Sequence, residues 1–393
     1  MIRALRALLP GGAVLLLAIG FMSLASDEYV ENFAETYGLV AYGAGLALAW
    51  VFYRSRAFIA LTILAWMDIA IVGSPNPVEL LMGLGTVVIL LMGMLGVVRD
   101  RGVASQIGVI QAVIVSVVAA IGGLYFAGYE RVQNFATNLK VLPLENVVWP
   151  GYPLLTLVVT GLALLGVAYG FHRYRGPVER SFVWAVLLLL VAMHPEMGRA
   201  GSALFVMASG LTLTLGIVET SYVLAYRDEL TGLPGRRALM QYLDGAKGTY
   251  AIAMVDVDHF KKFNDKHGHD VGDQVLKLVA SRLQRGPGGG RAYRYGGEEF
   301  TLLFPGRTRE QAMDHLEAIR ENIQDARFHI RSWKRPRDRP DGTTEIRKSK
   351  ELQVTISLGV ASTDGKDPYE VVLKRADQAL YRAKKKGRNQ VSQ

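Results

Sequence analysis

Long uninterrupted runs of apolar residues fill the first half of this chain and stop at about Val218. A helix that crosses a lipid bilayer needs about 20 mostly apolar residues and satisfies its own backbone hydrogen bonds there. Charged residues concentrate beyond Tyr226, so the composition changes sharply at this point. The pattern predicts a membrane-embedded helical bundle over residues 1–219, a connecting helix over 220–227 and a soluble domain over 228–393.

Eight of the apolar runs are candidate spans, although the seventh is short. These runs are Leu8–Ala25, Gly38–Tyr53, Ala57–Gly73, Leu80–Val98, Val103–Gly128, Tyr152–Phe171, Ser181–His194 and Ser202–Glu219. Alternate loops carry the arginines Arg3, Arg6, Arg54, Arg56, Arg99, Arg101, Arg173, Arg175 and Arg180. The positive-inside rule places these loops in the cytoplasm, and an even number of spans places the soluble domain there too. The first run could instead be a cleaved signal sequence, which would not change the orientation of the others.

Ionisable residues are rare inside these runs. Asp68, in "LAWMDIAIV", is costly within a bilayer, so it is a candidate either for a functional role or for a hydrogen bond to a neighbouring helix. His194 and Glu219 lie near span ends and are expected to face water. Aromatic residues near span ends are expected to be interfacial anchors, namely Trp50, Tyr53, Trp149 and Tyr152.

Composition narrows the classes of site and partner that the chain can have. The absence of cysteine excludes disulfides and thiolate metal sites. The net charge is +9, but arginines beside the spans account for part of it, and no nucleic-acid-binding motif is found. A basic stretch, "HIRSWKRPRDRPDGTTEIRKSKEL", predicts either a mobile solvated hairpin or a contact with anionic lipid or a partner.

Acidic residues follow two predicted strands of the soluble domain. The apolar run "YAIAMVDV" predicts a buried central strand with Asp256 and Asp258 at its C-terminal end. The stretch "RYGGEEF" predicts a β-hairpin whose glycines supply positive φ angles, with Glu298 and Glu299 just after the turn. Adjacent carboxylates repel unless a cation compensates them. The acids could therefore converge on a divalent cation, while nearby basic groups hold the phosphates of a nucleotide.

Five segments in a fixed order extend this interpretation: "RDELTGLPGRR", "DVDHFKKFNDKHGHDVGD", "RYGGEEF", "VTISLGVA" and "ADQALYRAKKKGRN". Together they resemble the GGDEF domain of diguanylate cyclases, over roughly residues 227–393. The resemblance implies an α/β (α+β) fold with a palm-like, largely antiparallel sheet flanked by helices. It also implies an enzyme that joins two GTP into cyclic di-GMP and releases two pyrophosphates. Because each domain would hold one GTP, the active form would be a homodimer.

The same resemblance implies the residues that bind metal. Asp256, the backbone carbonyl of Val257 and Glu298 would bind Mg²⁺ or Mn²⁺, and Glu299 would lie close to the metal and the attacking hydroxyl. Two features depart from the family pattern: the long basic stretch before "QVTISLGV", and the residues Pro287 and Gly290. The second departure concerns regulation by the product. Many members carry the arginine and aspartate of an inhibitory product site there, so no such site is predicted in this chain.

The substrate contacts implied by the resemblance involve six further side chains. Asn264 and Asp273 would read the guanine edge and His269 would line the nucleotide pocket. Lys261, Lys384 and Arg388 would contact the phosphates. With the membrane bundle, the resemblance implies a multi-pass protein of the bacterial inner membrane whose cyclase responds to a signal sensed by the spans.

Two other functions remain open at this stage. The domain could be a catalytically inactive receptor for cyclic di-GMP, although the intact acids and the missing product site count against this. The chain could also be a transporter or membrane receptor with a regulatory nucleotide-binding domain, but Asp68 is the one acid well inside the predicted spans.

Overall fold

A computed structural model describes most of the chain. The described residues are 10–74, 80–98, 154–329 and 351–393, with isolated positions between 100 and 117. They belong to two compact units, Met1–Tyr222 and Val223–Gln393. Several features named above lie outside the described residues, namely Arg3, Arg6, Arg99, Arg101, Trp149, Tyr152, most of the fifth predicted span and the basic stretch at 330–350.

The first unit is helical throughout its described part. Its helices are α1 (Gly11–Leu24), α2 (Asp27–Val51), α3 (Ser55–Gly73), α4 (Thr86–Val97), α5 (Leu154–Tyr174), α6 (Pro177–Ala192) and α7 (Gly198–Tyr226). A π-helical turn, Leu81–Gly85, leads into α4, and a short 3₁₀ turn, Pro195–Met197, precedes α7.

Three helical stretches among the described residues are long and apolar enough to cross a membrane. They are Ser55–Gly73, Leu157–Tyr174 and Pro195–Tyr226. Gly11–Leu24 and Thr86–Val97 are apolar but shorter. The structure is therefore compatible with membrane association, while the full set of eight spans stays a prediction.

Small residues let two of these helices approach each other closely. A Cβ atom on Gly93 of α4 would lie 2.6 Å from the Cα of Ala163 in α5. A Cβ atom on Gly170 of α5 would lie 2.1 Å from the carbonyl oxygen of Gly96. Such close backbone contact is a main source of helix association in lipid, where burial of apolar surface contributes little.

Several aromatic and polar residues near the helix ends are exposed or half-buried. Trp50 and Tyr53 are 58% and 74% exposed, and their role as interfacial anchors stays a prediction. Glu219 forms an ion pair with Arg180, and its side chain is 38% exposed. The His194 imidazole accepts a hydrogen bond from the backbone N–H of Glu196.

The second unit is built on a mixed five-stranded sheet. Its strands are β1 (Tyr250–Val257), β2 (Arg291–Arg294), β3 (Glu299–Pro305), β4 (Phe328–His329), β5 (Glu351–Leu352), β6 (Ile356–Thr363) and β7 (Val391–Ser392). The main sheet has the order β2-β3-β1-β6-β7, and β4 pairs with β5 separately. All pairs in the main sheet are antiparallel except β6 with β7. β1 coincides with the predicted strand, and all its residues are buried, which confirms that prediction.

Helices cover both faces of this sheet. They are α8 (Arg236–Asp244), α9 (Phe260–His267), α10 (His269–Gln284), α11 (Arg309–Gln324) and α12 (Tyr369–Lys385). Alternate residues of β1 serve the two faces, since side chains alternate along a strand. Ala253 and Val255 belong to the core that includes α10 and α11, whereas Ile252 and Met254 belong to the core that includes α8 and α12. The sheet flanked by helices agrees with the α/β fold expected for this part of the chain.

Two element boundaries follow from local backbone geometry. The apolar run "LQVTISLGVAS" contributes to two strands, because β5 ends at Leu352 and β6 begins at Ile356. The last helix, α12, ends at Lys385. The reason is the turn Gly387–Asn389, named the C-terminal turn below, whose residues all have positive φ and therefore cannot extend a helix.

Candidate active site

The strand acid Asp256 lies beside a lysine from the last helix. Asp256 is 5% exposed, and its Oδ2 lies 2.8 Å from the Nζ of Lys384 in α12. Asp256 and Glu299 are opposite each other in the β1–β3 pair, so their side chains leave the same face of the sheet. Glu299 and Lys384 also line a cavity of ≈ 390 Å³ beside α12. The sheet register thus brings the strand and hairpin acids together with a cation, as the sequence suggested.

The two glycines of the hairpin do not have the backbone conformation that the sequence predicted. Neither has a positive φ, so the prediction that they supply such angles is wrong. A Cβ atom on Gly296 would instead lie 2.7 Å from the Oε2 of Glu299. The backbone N–H groups of Tyr295 and Gly296 both donate to the Glu299 carbonyl, at 2.9 and 3.1 Å. The first glycine therefore makes room for the Glu299 carboxylate to fold back over the turn.

Arg294 holds the hairpin from outside. Its Nη2 donates to the carbonyl of Gly297 at 2.6 Å, and its Nε donates to the carbonyl of Gly296 at 3.2 Å. Its Nη1 donates to Asp228 Oδ1 at 2.7 Å. Asp228 also accepts hydrogen bonds from the backbone N–H and hydroxyl of Thr231. Burial opposes the ionisation of Asp228, but the bonds from Thr231 and Arg294 together keep its pKa below the ordinary value.

Backbone contacts connect the hairpin to the central strand. The N–H of Val257 donates to the carbonyl of Glu298 at 3.3 Å. Glu298 is half-buried, so its side chain is partly open to solvent at the end of β1. Val257, whose carbonyl is assigned to the metal by resemblance, is therefore hydrogen-bonded to the hairpin through its own N–H.

The electrostatics of these carboxylates favour an added positive charge. Burial raises the pKa of Asp256, although the nearby Lys384 ammonium partly offsets this. Burial also raises the pKa of Glu298, and the negative charge of Asp256 raises it further. A group whose pKa rises for these reasons is ionised at a cost, and a bound cation would reduce that cost.

The carboxylates of Asp256 and Glu298 fit a hard divalent cation whose remaining ligands come from a bound substrate and water. Among the residues that the structure describes, no three His, Cys, Asp or Glu side chains are grouped to hold a metal ion. Asp256 and Glu298 supply two carboxylates, which is the usual protein contribution to a magnesium site completed by phosphate oxygens and water. The fit is therefore to a metal-nucleotide complex and not to an all-protein metal cage.

A second group of predicted residues lies on the helix pair α9–α10. A Cβ atom on Gly272 would lie 1.9 Å from Asn264 Oδ1, so this glycine lets the asparagine lie against α10. That Oδ1 is buried and has no hydrogen-bond partner in the described part of the chain. His269 and Asp273 are exposed on α10, and Lys261 is exposed on α9. No hydrogen bond or ion pair between described residues joins this group to Asp256.

Pro287 and Gly290, the positions where the product-site motif is missing, carry no charge. Gly290 packs against an aromatic ring, since a Cβ atom there would lie 2.7 Å from the Cε1 of Phe304. Pro287 has no polar side chain. An aspartate at position 290 would require the ring to move, so the absence of this motif is also a matter of packing.

Sequence reasoning missed two groups that organise the site. The first is the ion pair between Asp228 and Arg294. Both residues lie in motifs quoted above, but the sequence assigned them no role. Asp258 was identified only as a strand-end acid, yet it is buried and accepts three hydrogen bonds. The hydrogen-bond partners of these residues come from distant segments of the chain, so residue spacing in the sequence does not reveal them.

A family model described as "Diguanylate cyclase, GGDEF domain" matches residues 225–339 and 341–390. The diguanylate cyclase DgcP of Pseudomonas aeruginosa is 38% identical over 177 residues, covering 42% of this chain and 24% of DgcP. The response regulator PleD of Caulobacter vibrioides is 37% identical over 187 residues, covering 44% of this chain and 37% of PleD. The chain therefore spans well under half the length of these relatives.

A similar solved structure is that of the coiled coil and GGDEF domain of DgcB from Caulobacter crescentus in complex with c-di-GMP. It is 33% identical, has a TM-score of 0.39, and covers 44% of this chain and 88% of the DgcB chain. Its alignment, like those of the two sequence relatives, extends over less than half of this chain.

Proposed function

We propose, from the premise that residues 225–390 carry a GGDEF domain, that this protein is a membrane-bound diguanylate cyclase. It would join two GTP into cyclic di-GMP and release two pyrophosphates. The observation that carries the proposal is the meeting of Asp256 from β1, Glu298 and Glu299 from the hairpin, and Lys384 from α12. Three acids and a lysine at one sheet end suit a reaction between two highly charged nucleotides.

The metal would be held by the oxygens of Asp256, Val257 and Glu298. When bound, Mg²⁺ or Mn²⁺ would neutralise charge on the phosphates as a ribose 3′-oxygen attacks the α-phosphate. The Glu299 carboxylate, which lies against Gly296 of the turn, would lie near the attacking hydroxyl. Lys384 would exchange its contact with Asp256 for the phosphates, because the cation would then satisfy that carboxylate.

Guanine recognition would come from the α9–α10 pair. The buried Oδ1 of Asn264 lacks a hydrogen-bond partner among the described residues and could accept from the donor edge of the base. The exposed carboxylate of Asp273 could accept a second hydrogen bond, and His269 would line the pocket. Lys261 would contact the phosphates from the first turn of α9.

The proposal includes a homodimer in the bacterial inner membrane. Each domain would bind one GTP, so two domains must face each other to close the cyclic product. The three apolar helices support a membrane location, and the arginine distribution supports a cytoplasmic catalytic domain. The multi-pass helical region would then sense the signal that controls synthesis.

The test is a turnover assay on the full chain purified in detergent. With GTP and Mg²⁺, the wild-type protein should form cyclic di-GMP, measured by mass spectrometry, and a chelator should stop this. Glu298→Gln should reduce kcat/KM by roughly 10²–10⁴, since metal stabilisation of transition-state charge is worth several kcal/mol. Asp314→Asn, which changes an exposed acid on α11, is the matched control and should keep full activity. Unimpaired synthesis by Glu298→Gln would contradict the metal assignment.

The receptor alternative predicts a different outcome of the same assay. A wild-type protein that binds cyclic di-GMP without converting GTP would support a receptor and would exclude the proposed cyclase. The uncharged Pro287 and Gly290 favour the cyclase, and they also lead us to expect weak inhibition by the product.

A further inference from the structure

Asp258 is a buried carboxylate that the proposed reaction does not use. It follows β1 directly and is 8% exposed. Its Oδ1 accepts a hydrogen bond from the Ser357 hydroxyl at 2.6 Å, and its Oδ2 accepts one from the Thr355 hydroxyl at 2.7 Å. The same Oδ2 accepts a third from the backbone N–H of Asn389 at 3.1 Å. This third bond joins the end of the central strand to the C-terminal turn.

The C-terminal turn has an unusual backbone that needs outside support. Gly387, Arg388 and Asn389 have φ angles of 111°, 66° and 45°. Non-glycine residues adopt this region at a cost and keep it where surrounding contacts determine it. Asn389 has such contacts, because its Nδ2 donates to Gln324 at 2.9 Å and its Oδ1 accepts from Arg320 at 3.1 Å.

Two acids at the end of β1 therefore contact the chain on either side of Arg388. Asp256 contacts the side chain of Lys384, and Asp258 contacts the backbone of Asn389. Arg388 lies between these points in the sequence, and its positive charge already acts on Asp256. The strand that carries the proposed metal ligand thus sets the position of the backbone from which the Arg388 guanidinium projects.

We infer that Asp258 is a positioning residue for the triphosphate of the substrate. Its hydrogen bond to the Asn389 N–H fixes the C-terminal turn, and the turn aims Arg388 at the phosphates. The role rests on the proposed function, because the phosphate contact of Arg388 belongs to it. Two acceptor oxygens are needed, since three donors converge on Asp258 and an amide at this place would direct its own NH₂ at one of them.

The experiment is a double-mutant cycle on binding by the full chain in detergent. The probe is the GTP analogue with a methylene bridge between its α- and β-phosphates, with Mg²⁺, and Kd is measured calorimetrically. Arg388→Ala should weaken binding about tenfold, the usual effect of losing a charge-assisted contact. Asp258→Asn should weaken it several-fold, yet by less than about twofold when Arg388→Ala is already present, because both changes remove the same contact.

A second probe separates positioning from general loss of structure. Guanosine lacks phosphates, so Asp258→Asn should leave its Kd unchanged if the substitution acts through Arg388. Equal losses for guanosine and the triphosphate analogue, or additive losses in the cycle, would overturn the inference. Asp314→Asn serves again as the control and should change neither Kd.

Two further readouts keep the test decisive. If Asp258→Asn does not fold, Ser357→Ala removes one donor to the same carboxylate and should weaken only the triphosphate analogue, by about twofold. Failure of the wild-type protein to bind the analogue would count against the cyclase itself. Wild-type binding with no effect of Asp258→Asn would reject only the positioning role.

Discussion

Buried aspartates in the two units differ in their partners. In Val223–Gln393, Asp256 contacts Lys384, and Asp258 accepts bonds from three donors. In Met1–Tyr222, Asp68 is 3% exposed, and its Oδ1 has no hydrogen-bond partner among the described residues. A Cβ atom on Gly38 would lie 2.7 Å from the other oxygen, so the glycine accommodates the carboxylate without satisfying it. Hydrogen-bond and ion-pair partners hold a buried acid in one geometry. Burial alone is therefore not enough to identify a functional acid.

The helical unit also contains a buried charge cluster that is paired. Arg56 is 3% exposed, and its Nη2 lies 2.7 Å from Glu179 Oε1. Asp100 lies 3.8 Å from the Nε of Arg56 and accepts a hydrogen bond from the Ser55 hydroxyl. One unit thus contains a buried ion pair and, in the part of the chain that the structure describes, a buried acid with one oxygen lacking a hydrogen-bond partner. Substitutions at the two places can test the comparison.

The largest effect on stability is expected from Arg56→Met. The substitution removes the cation that pairs with Glu179 and leaves Asp100 with only the 3.8 Å pair to Arg54. Breaking a buried pair in this way typically costs about 3–5 kcal/mol. The free energy of unfolding of the full chain in detergent should fall by that amount. Arg309→Met is the control, because Arg309 pairs with Glu310 at an exposed position and its loss should cost about 1 kcal/mol or less.

Asp68→Asn is expected to change the stability of the protein less than Arg56→Met does, and in the opposite direction. The substitution preserves the size of the side chain and removes a buried carboxylate whose Oδ1 has no hydrogen-bond partner among the described residues. The melting temperature should stay the same or rise. Tyr42→Phe should behave alike, because the Tyr42 hydroxyl is buried with no hydrogen-bond partner among the described residues. A clear drop in the melting temperature of Asp68→Asn would mean that the acid has a stabilising partner.

The smallest effect is expected for the stability of Glu298→Gln. The pKa of Glu298 is raised in the folded state, so its ionisation disfavours folding once the pH exceeds the pKa of the unfolded chain. The variant, although inactive, should therefore melt slightly above the wild-type protein at neutral pH. The difference should disappear as the pH falls below the ordinary carboxylate range, where both proteins carry neutral side chains. A stability loss at neutral pH would show that Glu298 is held by a favourable contact.

Local patterns predicted several elements well. The run that forms β1 was identified with correct bounds, because a fully buried strand is continuously apolar along its length. The hairpin was also placed correctly by its turn residues, between β2 and β3. The function of the hairpin glycines was misjudged, since the need for space at Gly296 arises from the Glu299 side chain and not from backbone angles.

The sequence by itself determined the division into an apolar and a charged half, the central strand, and the order of the acidic motifs. These properties depend on residues close together in the chain, where periodicity and composition act. Only the tertiary structure decided that Lys384 meets Asp256, that Arg294 clasps the hairpin, and that Asp258 holds the C-terminal turn. Such contacts join segments far apart in the chain, and sheet register and helix packing bring them within hydrogen-bonding distance.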